Sequence, residues 1–78
     1  MIAIFDNNAG YLQHISSATT AIAALKEFDS KIGIDPTSEG LDVVAEEFSF
    51  YEITPEEASA MESEDSQNCQ PRGRKVSY

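Results

Sequence analysis

Ile2, Ala3, Ile4 and Phe5 form a run of strand length, with Ile2 and Ile4 on one side of the pleat and Ala3 and Phe5 on the other. Asn7-Asn8-Ala9-Gly10 follows, a composition that permits positive φ in a tight connection, so a first strand and a hairpin turn are expected. Tyr11-Leu12-Gln13-His14-Ile15 supplies a second, antiparallel strand, and the hydroxyls of Ser16 and Ser17 are available to cap what comes next. From Ala18 onward the apolar positions Ala21, Ile22, Leu25, Phe28 and Ile32 recur at spacings of three and four, with Lys26, Glu27, Asp29 and Ser30 between them. That pattern predicts an amphipathic helix, ended by Gly33.

Residues 34–40 combine proline, glycine and hydroxyl residues and read as a loop. Residues 41–47 fit either a helical turn or the lead-in to a strand. Phe48 to Ile53 is aromatic-rich and predicts a third strand. Thr54-Pro55-Glu56-Glu57 carries a capping hydroxyl, a proline at the first helical position and a glutamate at the third, which predicts a short helix through about Met61. Beyond Glu62 hardly any apolar residues remain to offset the entropy of ordering. The expected architecture is α+β: a small three-stranded antiparallel sheet (β-hairpin, helix, strand, short helix) with one long helix packed on one face and a flexible C-terminal tail. Residues 1–62 would form the compact domain, and residues 63–78 the tail with its basic cluster. On the third strand Phe48 and Phe50 share a face that meets the helix through Ile22, Leu25 and Phe28. Tyr51 and Ile53 then lie on the opposite face, where the second helix, the tail or a partner must cover them.

Charge changes the picture more than composition does. Among 78 residues there are 14 Asp and Glu against 5 Lys and Arg, a formal net charge of -9. All 14 carboxylates, with Lys26 and Lys31, lie in residues 1–65, a net of -12; Arg72, Arg74 and Lys75 give residues 66–78 a net of +3. A surface this acidic is the wrong sign for gripping phosphates, so direct nucleic-acid binding is not expected. No apolar run approaches the roughly 20 residues that span a bilayer, and the amino end lacks the basic region and long apolar stretch of a signal peptide. The expectation is a cytoplasmic protein with no membrane association. One cysteine, Cys69, cannot build a disulfide framework.

Candidate chemistry is sparse. Asp35 to Glu46 is a twelve-residue stretch with oxygen-bearing side chains at positions 1, 3, 5 and 12 (Asp35, Thr37, Glu39, Glu46) and Gly40 at position 6. These spacings resemble the loop of a calcium-binding EF-hand, with the preceding helix and Glu47-Phe48 extending the resemblance over roughly residues 21–50. Asp42 stands where such loops carry an aliphatic residue, Pro36 takes position 2, and no second loop is present to form the usual pair. The plainer reading is a turn, and no metal or other cofactor is expected. His14 and Cys69 are the only residues of their types, and pairing them would require an ordered tail. Cys69 reads as an exposed thiol and His14 as a strand residue, exposed or bonded near Tyr11. There is no glycine-rich phosphate loop, CxxC or HExxH, and the adjacent acids Glu46–Glu47 and Glu56–Glu57 point to different sides of their elements. An enzyme is not expected.

A very short, acidic, non-catalytic α+β domain of this element order resembles the small inhibitor proteins of phages and mobile elements, the anti-CRISPR proteins among them. The resemblance covers residues 1–62, rests on size, charge and element order, and carries no shared motif. It implies a stoichiometric inhibitor, a nucleic-acid mimic whose acidic edge occupies a basic nucleic-acid-binding or subunit-docking surface of a host defence complex, such as a CRISPR effector. The residues that would form the edge are Glu39, Asp42, Glu46, Glu47, Glu52, Glu56 and Glu57, with Tyr51 beside them. Two alternatives stay open: a small adaptor or structural subunit, or homodimer, using a hydrophobic interface around Tyr11, Tyr51 and Ile53, and a calcium module using the Asp35–Glu46 loop. The basic tail could clamp an acidic partner or fold back on the body.

Overall fold

The computed structural model describes residues 1–8, 10–32, 46–65 and 69–77, with the side chains of residues 29–32 left aside. The chain runs β1 (Ile2–Asp6), β2 (Leu12–Ser16), α1 (Ala21–Ile32), β3 (Phe48–Glu52), α2 (Pro55–Glu62) and β4 (Arg74–Val76). The strands make one antiparallel sheet in the order β2-β1-β3-β4. The fold is therefore α+β, but the expected three strands become four, because the segment expected to be a flexible tail supplies β4.

β1 lies in the middle and is apolar on both faces. Ile2 and Ile4 point into a cluster with Phe50, Ala21, Ala24, Leu25 and Phe28; Ala3 and Phe5 point into a second cluster with Ile53, Ala58, Met61 and Cys69. The unbroken run of four apolar residues is thus the signature of a strand covered twice, by α1 on one side and by α2 with residue 69 on the other.

The hairpin closes through residues 7–10. Asp6 N–H donates to Tyr11 O (2.9 Å), Gly10 N–H to Asp6 O (2.7 Å), and Asn8 N–H to Asp6 Oδ1 (2.7 Å). Gly10 has φ of 76°, the region that glycine enters without strain. β2 begins one residue later than expected and carries an irregularity: Ile4 pairs with His14 but Phe5 with Leu12, leaving Gln13 as the extra residue. The bulge resets the alternation. Leu12 and Ile15, three apart, both reach the second cluster, while His14 and Ser16 lie on the α1 side with Ile4 and Ile2.

α1 starts at Ala21, with Thr20 rather than Ser16 or Ser17 at its cap: Thr20 Oγ1 accepts from Ala23 N–H (3.3 Å). Its buried stripe is Ala21, Ala24, Leu25 and Phe28, with Ala18 packed ahead of it. Ile22, expected on that stripe, is 42% exposed, because the i, i+3, i+4, i+7 ridge starting at Ala21 leaves residue 22 one step round the helix. Gly33 and the loop after it lie outside the described residues. Phe28 meets Phe48 edge-on (5.4 Å between ring centroids, 83°), joining α1 to β3 as expected.

At α2 the sequence signals act together. Thr54 Oγ1 accepts from Glu57 N–H (3.1 Å) and Glu57 Oε1 accepts from Thr54 N–H (2.9 Å), a complete capping box with Pro55 at the first position.

Candidate interaction surface

The expected acidic edge divides into parts. Glu39 and Asp42 lie outside the described residues. Glu46 and Glu47 are exposed at the entry to β3, where their carbonyls are tied to the hairpin: Asn7 Nδ2 donates to Glu46 O (3.0 Å) and Asn7 N–H to Glu47 O (2.9 Å). Asn7 Oδ1 also accepts from Ser49 Oγ–H. Glu52 ends β3, and Glu56 and Glu57 follow in the first turn of α2. The five residues of β3 separate the two groups by roughly 17 Å at about 3.3 Å per residue.

These carboxylates do different things. Glu57 is committed to the capping box, and Glu52 Oε1 accepts from Arg74 Nη2 (3.2 Å). Glu64, which the expected edge did not include, is bonded to Arg72. Among the described residues Glu46, Glu47, Glu56 and Glu62 are exposed and make no ion pair with a basic side chain. The two arginines near the C-terminus fold back onto the body, one of the two courses open to the basic cluster, and neutralise Glu64 and Glu52.

The hydrophobic alternative loses its centre. Ile53, for which the second helix, the tail or a partner was the expected cover, is 4% exposed beneath Ala58 and Met61 of α2 and Cys69 of the tail, and its N–H donates to Met1 O (2.9 Å). Tyr51 is half-buried, edge-on to Phe5 (5.5 Å, 83°), and Tyr11 alone of the three is exposed, at 39%. Packing on both faces of a small sheet uses the scarce apolar surface internally.

His14, Ser16 and Glu27 form the one cluster with the residue types of a hydrolytic triad that the described residues bring together. Their order is wrong for it. Glu27 sits between the other two: its Oε1 accepts from His14 Nε2 (3.1 Å) and its Oε2 from Ser16 Oγ–H (2.5 Å). A nucleophilic serine needs the imidazole as its direct base, with the carboxylate behind it. Ser16 is also 0% exposed and accepts from Ala18 N–H (3.0 Å), so it is a structural hydroxyl that joins β2 to α1. His14 stacks on Phe28 (5.7 Å, 26°), a half-buried position in place of the expected exposed one or a bond near Tyr11. Spacing gave no clue to this cluster, since Glu27 lies 11 and 13 residues from its two partners.

Cys69 corrects another expectation: it is 2% exposed inside the second cluster. Burial and the nearby Glu64 push its thiol above the ordinary value of 9.0, against a smaller opposing pull from Arg72. His14 lies on the α1 side of the sheet and Cys69 on the α2 side, so the sheet itself keeps them apart. Among the described residues no group of three or more His, Cys, Asp or Glu could hold a metal ion. Of the calcium-type loop only Glu46 is described, and it is exposed. Among the described residues no helix is long and apolar enough to cross a membrane.

No family model matches this chain, nor does any curated protein or solved structure.

Proposed function

We propose that this protein is a non-catalytic, cytoplasmic, protein-binding inhibitor whose acidic surface occupies a basic nucleic-acid-binding or subunit-docking surface of another complex, in the manner of anti-CRISPR proteins. The observation that carries this reading is the division of labour among the charges. Arg72 and Arg74 are paired with Glu64 and Glu52, while Glu46, Glu47, Glu56 and Glu62 are exposed and make no ion pair with a basic side chain among the described residues. A field of one sign steers a basic partner and sets the register of docking. The adaptor reading is less well supported, because Ile53, one of the three residues named for it, is buried within the fold.

Affinity capture of partners from a host lysate at about 0.05 and 0.5 M salt, where the screening length falls severalfold, tests the proposal. A nucleic-acid-binding complex should be recovered at low salt, fall away at high salt, and be weakened several-fold by Glu47→Lys and by Glu56→Lys. Recovery that ignores both salt and the two reversals would sink the charge-based reading.

A further inference from the structure

Arg74 and Lys75, in an otherwise acidic chain, lead directly into a serine. Of the nine serines and four threonines, Ser77 alone has a lysine or arginine among the three residues before it: Arg74 three before and Lys75 two before, with the aromatic Tyr78 next in sequence. The fold turns these groups outward. Arg74, Lys75 and Ser77 are all exposed, while Val76 between them packs against the first core cluster. β4 ends at Val76, so Ser77 stands just beyond the ladder, and its hydroxyl makes no hydrogen bond to another described residue.

We propose that Ser77 is a phosphorylation site for a serine kinase that selects basic residues on the amino side of its target. Such a kinase reads its substrate as an extended chain, holding the arginine and lysine on carboxylates of its own cleft while the hydroxyl faces the nucleotide. Residues 74–76 are already extended, which spaces Arg74 from Ser77 by roughly 10 Å at about 3.3 Å per residue. Arg74 is available to the cleft, because its pair with Glu52 lies in solvent, where such pairs contribute little. Engaging positions 74–76 parts a strand of three residues from the sheet edge, an opening drawn from the low-stability end of the fold.

The chemistry balances with ATP as the co-reactant. Ser77 Oγ attacks the γ-phosphorus, the bond from that phosphorus to the β–γ bridging oxygen breaks, ADP leaves, and the hydroxyl proton passes to the catalytic carboxylate of the kinase. The product adds a charge of about -1.5 to -2. Ser77 and Ser49 line one groove with Asn7, which holds the Glu46 and Glu47 carbonyls, so the phosphate joins the acidic residues at the entry to β3. The gain in acidity matters to a basic partner only on the reading above; the site itself does not depend on that reading.

The test is incubation of the full chain with ATP, Mg²⁺ and the purified catalytic subunit of a cyclic-AMP-dependent protein kinase, followed by intact-mass and fragment mass spectrometry. One phosphate on Ser77 is expected, and none on that segment in Ser77→Ala. Arg74→Ala loosens β4 as well as removing the arginine, so Glu52→Gln, which breaks the same pair and keeps Arg74, is its control. Glu52→Gln should react at least as fast as the unaltered chain, and Arg74→Ala roughly tenfold more slowly than Glu52→Gln. An unmodified Ser77 while a control peptide is phosphorylated in the same tube, phosphate on another residue in its place, or equal rates in Arg74→Ala and Glu52→Gln overturns the proposal. The readout is the phosphate itself, so it stands or falls apart from the salt-dependent capture of a partner.

Discussion

Ser16 shows how much one buried hydroxyl can hold. It donates to Glu27 and accepts from Ala18 N–H, so Ser16→Ala removes both bonds and leaves the Ala18 amide short of a partner in the β2–α1 junction, while the partly exposed Glu27 carboxylate keeps His14 and water. A loss of about 1–3 kcal/mol is expected in urea denaturation, since an orphaned polar group costs more than the bond itself contributed. Gly73 is constrained from the opposite direction, by what surrounds it. Its φ of 79° is the left-handed region, and a Cβ there would stand 2.1 Å from Glu52 O, a backbone atom that cannot step aside. Gly73→Ala should therefore cost about 1–3 kcal/mol of stability and loosen β4 selectively, read as faster exchange of the Phe50, Glu52 and Val76 amides, which face the β3–β4 ladder, with little change at the Ala3 and Tyr51 amides of the β1–β3 ladder. At this scale the sequence was only partly legible. Gly10 stood out within an Asn/Gly-rich turn, whereas Gly73 lies among polar and basic residues with no apolar pattern to mark the strand that follows.

Elements whose signals were local appeared where the sequence placed them. The start of α2 uses Thr54, Pro55 and Glu57, all within four residues, and β1 covers the expected Ile2–Phe5 run and extends one residue further, to Asp6. β4 was missed because an edge strand needs little apolar content: of Arg74, Lys75 and Val76 only the last packs against a core cluster. The pairing that holds it comes from β3, 22 to 26 residues earlier in the chain. The segment before it is anchored by Cys69, which makes that thiol a reporter of docking. Labelling by a thiol reagent at pH 8 should be slow in the native chain and speed up at least as much as β4 exchange does in Gly73→Ala; fast labelling of the native chain would contradict the burial. The raised thiol pKa has a sign for stability as well. Because the folded state holds its proton more tightly than the unfolded chain, the Cys69 contribution is fully present below the ordinary value of 9.0 and is lost as pH rises through the higher folded value. Denaturation midpoints should fall above pH 9 in the unaltered chain and fall less in Cys69→Ala.

For the whole molecule the dominant electrostatic fact is the net charge of -9 on 78 residues, which sets the compact state against itself. Salt should raise the melting temperature, since screening relieves more repulsion than it removes attraction from the part-buried Arg72–Glu64 pair and the exposed Arg74–Glu52 pair, while it weakens binding to a basic partner. A melting temperature that falls with salt would show that those pairs, and not the repulsion, govern stability. By itself the sequence determined the α+β class, the hairpin, both helices, the aromatic strand and the sign of the field, because each depends on neighbours within a few residues or on a count. It placed no arginine against a carboxylate and could not say which faces of the sheet would be covered. Only the tertiary structure decided that β1 is buried on both faces, that Ile53 lies under α2 rather than under a partner, that Glu27 stands between His14 and Ser16, and that the basic segment returns as β4. The reason is common to all four: each is a contact between residues distant along the chain, fixed by which apolar surfaces find one another and by the register that follows, and neither periodicity nor composition carries that information.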